Sequence, residues 1–456
     1  MRSLLSVTQL ELFKPSQFLN ITVCETKFTF VDLFAGIGGF RIPLQQLGGK
    51  CLGYSEIDTE AVNVYRQNFL NQLNDEELDL GDITNIKKLP NNIDILVGGV
   101  PCQPWSIAGK LKGFNDNRGQ LWFDVIRLVK QANPKAFIFE NVKGLTEPRN
   151  KQQLDYIINH LTNAGFVVKY SVLNSYDFGV PQDRDRVFIV GIKKDIELAS
   201  YFQFPKPSPK KLKLYNVIEG LKEQPIKKKK FSPEILFGKR IPASRRRFQR
   251  IDELNDFFTF ADIRDGHTTI HSWDLIDTST AEQLICRVIL KNRRKKIYGD
   301  KDENPLNINI LKELIPNLKE RDLESLVHKK ILRLIPEKGY EFVNSKISSG
   351  INGVAKIFLP HSDVISTLTA TGTRDFIATE SLLCQKPEIY KKAFINKIYH
   401  PKKFKPLSSK DYAKLQGFPD WFTLHENEKI AKKQFGNAVS VPVVYHLVES
   451  ILKVIL

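Results

Sequence analysis

The sequence predicts an α/β fold: one doubly wound sheet with helices on both faces, interrupted by a long basic insert. Three observations carry this expectation. Residues 28–192 alternate short apolar, β-branched or aromatic runs with amphipathic stretches such as "LWFDVIRLVKQANP". The first of these runs ends in a glycine-rich loop, "VDLFAGIGGFR", of the kind that open α/β sheets present to ligands at their strand tips. Near residue 200, "FPKPSPKKLKL" breaks the pattern with proline and lysine, and order returns only near residue 405.

Taken in order, "FTFVDLF" predicts a first strand and "RIPLQQLG" the helix behind its loop. "CLGYSEI" predicts the second strand, and "LDLGDIT" holds the end of a third. "DILVGGV", "AFIFENV", "FVVKYSVLN" and "RVFIVGI" predict strands four to seven, most of them β-branched or aromatic. The insert is irregular, with "KKKK" at 227–230, "KRIPASRRRFQR" and "LKNRRKKIYGD" placing basic residues among aromatic ones. At the end of the chain, "GNAVSVPVVYHLVESILKVIL" predicts a glycine-led turn and an amphipathic helix that packs back on the first domain. The expected division is 28–195 with 425–456 as one domain, 196–424 as the other, and 1–27 as an N-terminal extension.

The formal charge is +17 over 456 residues, and residues 201–400 carry 37 Lys and Arg against 24 Asp and Glu. Such an excess is either a solvated basic surface or a footprint for a polyanion such as nucleic acid. The five cysteines, Cys24, Cys51, Cys102, Cys286 and Cys384, are odd in number and lack metal-ligand spacing. Neither a disulfide scaffold nor a metal site is expected, and a reducing cytoplasm is the expected compartment. The segment "MRSLLSVTQLELFKPSQFLN" has no long apolar run and no small-residue cleavage site, so neither a signal peptide nor a membrane span is expected.

Two clusters of candidate residues fall at the predicted strand tips. Phe34, Gly36, Gly38 and Gly39 follow the first strand, Glu56 closes the second, and Asp82 stands where the third should end. A glycine loop admits close backbone approach, a carboxylate at the second tip suits ribose hydroxyls, and one at the third suits an adenine amino group. The loop lacks the third glycine of the dinucleotide pattern, which disfavours NAD, and the loop and the two acids taken in order favour an adenosine ligand over plain surface acids at strand ends. The second cluster starts in "GGVPCQPW", where two prolines hold Cys102 stiffly beyond the fourth strand, as a nucleophilic thiolate requires. Glu140 closes the fifth strand, where burial raises a carboxyl pKa and suits it to hold a proton. Gln182, Arg184 and Arg186 alternate ahead of the seventh strand and are expected on one face of an extended segment.

With these residues in place, the chain resembles a bacterial-type cytosine-5 DNA methyltransferase. The matching motifs run in order: "DLFAGIGGF", "GYSEID", "GDI", "GGVPCQPWSIAGK", "DNRGQLWFDV", "ENVKG", "QDRDRVFIVG", "LSSKDYAKLQGFPDWF" and "GNAVSVPVV". They span residues 32–444. Departures are few: Val100 and Trp105 replace a frequent proline and phenylalanine, and Lys405, Lys410 and Lys414 stand for arginines, keeping charge but not the bidentate fork.

The resemblance implies a Rossmann-like methyltransferase sheet that binds S-adenosyl-L-methionine, with a smaller irregular target-recognition domain. It implies that Cys102 adds to C6 of a flipped cytosine, Glu140 holds N3, Arg186 holds O2 and Arg184 supports the site. The loop "SIAGKLKGFNDNRG" resembles the one that closes over the base. The cofactor set implied is Phe34, Gly36, Gly38, Gly39, Glu56, Ile57, Asp82, Ile83, Pro101 and Leu121, joined by Asn437 and Val439 from the C-terminal segment. Gln103, Ser106, Gln182, Thr369, Thr371, Thr373 and Arg374 are the implied DNA contacts. The expected partners are double-stranded DNA and a cognate restriction endonuclease acting on the same site, and the expected state is a monomer. Two other readings share part of the pattern. A transfer RNA cytosine-5 methyltransferase usually has a short recognition region with a Cys-Phe-Thr tripeptide, which this chain lacks. A silent DNA-binding regulator would not need Cys102, Glu140 and Arg186 all intact.

Overall fold

The computed structural model describes residues 26–70, 77–101, 117–209, 212–221, 257–259, 268–301, 303–343, 354, 356–362, 364–370, 375–382 and 386–456. Strands β1 (Phe28–Leu33), β2 (Gly49–Ser55), β3 (Leu78–Asp79), β4 (Ile95–Gly99), β5 (Ala136–Val142), β6 (Phe166–Asn174) and β8 (Asp185–Lys193) form the main sheet. A two-residue strand, β7 (Gln182–Asp183), lies outside it. The order across the sheet is β3-β2-β1-β4-β5-β8-β6. From β3 to β5 all neighbours are parallel, while β8 runs antiparallel to both β5 and β6. Each run expected to be a strand is one. The third is shorter than its motif: it ends at Asp79, so Asp82 lies beyond it.

Both faces of the sheet are covered, and the period-two alternation divides its side chains between them. Phe30, Val97, Ile138 and Val190 face α1 (Arg41–Gln46) and the C-terminal helix Val441–Ile455. Leu33, Leu96, Phe137 and Ile189 face α3 (Asn117–Ala132) and α4 (Lys151–Asn163). The stretch Glu428–Ile455 is apolar and long enough to cross a membrane by composition. It is two helices, though, Glu428–Asn437 and Val441–Ile455, and Val443, Val444, Leu447 and Ile451 are core residues. Gly436 therefore sits inside the first of these helices, and the expected turn falls at residues 438–440.

In the insert, β9 (Phe257–Thr259), β12 (Lys356–Phe358), β14 (Asp375–Ala378) and β15 (Phe404–Pro406) form a small sheet in the order β15-β14-β12-β9. A module between β9 and β12, helical apart from the hairpin β10 (Leu332–Ile335) and β11 (Gly339–Phe342), has its own core, built on Trp273, Ile285, Cys286, Leu311, Leu326 and Phe342. The insert is tied to the main domain by β13 (Ile365–Ser366), which pairs with β7. Tyr412, Leu415, Phe418 and Phe422 share a core with Tyr65 and Phe69 of α2 (Thr59–Phe69), so the returning chain meets the first domain before residue 425.

Candidate active site

The glycine loop leaves β1 by a tight turn. Phe34 and Gly36 have φ of 56° and 55°, and Gly38 has φ of 89°. A side chain at Gly38 would also meet the ring of Phe69, 2.8 Å from its Cζ, so only glycine fits both the backbone and the space. The loop is stapled to the next strand tip. Glu56 Oε2 accepts from Gly36 N at 2.8 Å, and its Oε1 accepts from Ile57 N and Asp58 N, each at 2.8 Å. Ile57 beside it is 72% exposed, an apolar side chain held open at a strand tip. Asp82 Oδ1 caps the 3-10 turn Ile83–Asn85 through Thr84 N at 2.9 Å, and Ile83 is buried. Leu121 is half-buried on α3. From the far end of the chain, Val439 packs against Gly39, where a Cβ would lie 2.9 Å from Val439 Cγ2, and Asn437 is exposed beside it. The glycine loop, Glu56 and Asp82 thus lie beyond the ends of β1, β2 and β3, with Val439 packed against the loop.

Asp32 adds an unforeseen feature. It is fully buried, and neither carboxylate oxygen has a hydrogen-bond partner among the described residues. Burial raises its pKa well above the usual carboxylate range, with Arg41 opposing and Glu77 and Glu56 adding to the rise. Nearby, Arg41 pairs with both Glu77 and Tyr65, and Tyr65 Oη donates to Glu77 Oε1 at 2.8 Å, forming a buried polar brace behind the loop. These partners lie 12 to 36 residues apart in sequence, a spacing with no local signal.

At the next strand tips stand Glu140 and Arg186. Arg186 Nε lies 2.9 Å from Glu140 Oε1, an ion pair without hydrogen-bond alignment, with side chains 16% and 9% exposed. Their strands are neighbours, with Val142 opposite Arg186. Burial raises the Glu140 pKa, and the charges of Arg186 and Arg184 oppose the rise without cancelling it. Gly99 abuts this pair: a Cβ there would lie 4.0 Å from Glu140 Oε2. Asn141 Nδ2 donates to Val100 O at 3.2 Å, so the residue after Glu140 anchors the backbone that leads through Pro101 to Cys102. The Asn141 brace was not foreseen, although it belongs to the "ENV" motif. Cys102, Gln103, Ser106, Thr371, Thr373 and Arg374 lie outside the described residues. Cys51 and Cys286 are buried free thiols.

The structure corrects the reading of Gln182, Arg184 and Arg186 as one continuous face. The chain bends between β7 and β8, with Arg184 N bonded to Gln182 O at 3.1 Å, which breaks the strand alternation. Gln182 is fully buried rather than open to DNA. Its Nε2 donates to Leu415 O at 2.9 Å, and its Oε1 accepts from Leu368 N at 3.1 Å. Arg184 is buried as well. Its guanidinium donates to Leu368 O at 3.0 Å, Gly436 O at 3.2 Å and Ala438 O at 2.8 Å. It supports the site through backbone carbonyls instead of meeting a reacting atom, so its place among the catalytic residues becomes one of positioning. Gln416, also fully buried, completes the junction by donating to Phe435 O at 2.7 Å.

A family model described as C-5 cytosine-specific DNA methylase matches residues 28–453. The chain is 47% identical over 423 residues to the Type II methyltransferase M.HgiBI of Herpetosiphon aurantiacus, covering 92% of this chain and 96% of that one. It is 33% identical over 452 residues to the Type II methyltransferase M.BanI of Aneurinibacillus aneurinilyticus, covering 94% and 96%. Among solved structures, DNMT2 of Spodoptera frugiperda superposes with a TM-score of 0.50 at 16% identity, covering 93% and 99%, a likeness of fold alone.

Proposed function

The chain belongs to the C-5 cytosine-specific DNA methylase family and is a DNA (cytosine-5-)-methyltransferase using S-adenosyl-L-methionine; we propose that it acts through Cys102, Glu140 and Arg186 on a flipped cytosine. The observation that carries this reading is the pair of buried Glu140 and half-buried Arg186 beside the backbone that leads into Cys102.

Cytosine C5 alone is too weak a nucleophile to accept a methyl group. The Cys102 thiolate forms a bond to C6, which moves electron density onto C5. Glu140, whose burial favours its protonated form, holds or protonates N3 and so disperses the charge of the adduct. Arg186 donates to O2. After transfer a base takes the C5 proton, the C6–S bond breaks and the thiolate leaves. All of this needs the base out of the stack.

When bound, S-adenosyl-L-methionine supplies the methyl group. The edge fits it: Phe34, Gly36, Gly38 and Gly39 offer close backbone, Glu56 and Asp82 offer acceptors, and Ile57 offers an exposed apolar contact. Ile83, Pro101, Leu121, Asn437 and Val439 complete the proposed cofactor set.

The target-recognition role falls to the insert. Gln103, Ser106, Thr369, Thr371, Thr373 and Arg374 are the proposed DNA contacts, and Thr369 is exposed. Basic residues of the helical module add phosphate contacts. Lys291, Arg294, Lys295 and Lys296 are exposed and have no ion-pair partner among the described residues, whereas Lys312, Lys329 and Arg333 of the same module are paired. The relatives' names as Type II methyltransferases support a role in a restriction–modification pair; a cognate endonuclease acting on the same site, a monomeric state and a cytoplasmic location are part of the proposal.

Bisulfite sequencing of DNA from cells expressing the protein identifies the target. A duplex carrying 5-fluorocytosine there traps the adduct, because fluorine blocks the final elimination. Mass spectrometry is expected to map the bond to Cys102, and Cys102→Ser is expected to abolish methylation. An adduct on Cys51, or full activity in Cys102→Ser, would refute the assignment.

A further inference from the structure

Gly436 lies in the last turn of helix Glu428–Asn437 and is buried. A Cβ built on it would stand 2.5 Å from Thr369 O and 2.5 Å from Ala370 N. The obstructing atoms are backbone, so no side-chain rotation relieves the clash. Gly436 is not among the glycines with left-handed φ, so its conformation alone would admit alanine. Within a helix, glycine costs about 0.5–1 kcal/mol relative to alanine. The missing side chain therefore serves one purpose, the approach of residues 369–370.

That approach is reinforced on both sides. Arg184 holds Leu368 O and Gly436 O together, and Gln182 takes Leu368 N. Gln416 fixes the carbonyl of Phe435, just before Gly436. Segment 368–370 runs directly into residues 371–374. Gly436 runs directly into Asn437 and Val439, and Arg184 stands two residues from Arg186 at Glu140.

We propose that Gly436 is a positioning residue for target recognition: the lack of a side chain lets the recognition segment dock backbone to backbone on the cofactor-binding helix, in register with the base pocket. This rests on the reading of Thr369–Arg374 as DNA-contacting residues. With alanine at 436, the segment must retreat by roughly 1 Å, a misplacement of the size that costs about 10²-fold in rate.

The test is Gly436→Ala in the full chain, assayed on the cognate duplex and on duplexes changed at one base pair, with melting and S-adenosyl-L-methionine affinity measured alongside. Cognate kcat/KM is expected to fall about 10–100-fold and discrimination against near-cognate sites at least about tenfold, with methyl-donor Kd held within about threefold. Unchanged discrimination in a folded variant overturns the proposal. So does a rise in donor Kd matching the loss in kcat/KM, which marks a cofactor-site defect. If Gly436→Ala does not fold, Arg184→Lys tests the same junction by keeping the charge and removing the fork; the same signature is expected, and unchanged discrimination again overturns it. Arg374→Ala in the natural chain separates the two layers. Preserved discrimination there refutes the base-reading role of the segment. Lost discrimination there, with preserved discrimination in Gly436→Ala, refutes the positioning role alone.

Discussion

Replacing Glu140 by glutamine removes one charge and one transferable proton while keeping the shape of the side chain. Glu140 is 7% exposed and pairs with the half-buried Arg186 at 2.9 Å, so both losses fall on a buried carboxyl. The effect on stability is moderate. Breaking a fully buried pair costs roughly 3–5 kcal/mol. Arg186 keeps a bond to Asp185 O at 2.8 Å and retains some exposure toward the site. The expected loss is therefore nearer the cost of one unsatisfied buried group, about 1–3 kcal/mol. The effect on rate is larger. An amide can still donate to N3 but cannot deliver a proton, so the general-acid contribution of about 10²–10⁴-fold is lost. That corresponds to about 2.7–5.5 kcal/mol of barrier. Single-turnover transfer of labelled methyl to a duplex bearing the cognate site measures it, with melting as the control for folding. Because burial raises the Glu140 pKa, the protonated form persists above the usual carboxylate range and is lost as pH rises through the raised value. The natural enzyme should show that alkaline fall in rate, and Glu140→Gln should lack it. A variant rate within about threefold of the natural one, or an unchanged alkaline limb, would refute the role given to Glu140.

Two further outcomes are expected. Neutralising Lys295 and Lys296 together to alanine should reduce the slope of log affinity for DNA against log salt by about 1.8, at about 0.9 per phosphate contact, and an unchanged slope would remove the helical module from the DNA interface. Asp32→Asn mimics the protonated carboxyl that burial favours. A raised folded pKa means that the stability contributed by Asp32 is present in full below the ordinary carboxylate value and is lost as pH rises through the folded value. The variant should thus melt above the natural protein at pH 8, by about 1–3 kcal/mol, and converge with it toward acid pH. A variant that melts below the natural protein at pH 8 and converges with it toward acid pH would show that the Asp32 charge has a partner in the fold.

The strands of the main sheet could be placed from sequence because alternation and β-branched runs are local properties, set by which face each residue must bury. Glu140 and the glycine loop were found the same way, since the end of an apolar run marks a strand tip. Cys102 stood out by the two prolines that frame it beyond a strand tip, and Glu56 and Asp82 by their strand ends; the family motifs added the role of Cys102 at C6 and the remaining cofactor residues, Ile57, Ile83, Pro101, Leu121, Asn437 and Val439. Only the tertiary structure decided how Gln182 and Arg184 are used. A bend between β7 and β8 cancels the alternation expected across 182–186, and the two side chains turn inward onto Leu368, 184 to 186 residues away. The same holds for Asn141 on Val100, for the Arg41–Tyr65–Glu77 brace and for Gly436 against Thr369. Each is a contact between segments remote in sequence, formed because buried polar groups must find partners and backbones must pack without voids. Neither requirement leaves a periodic trace in the chain; both are met only when segments remote in sequence pack together.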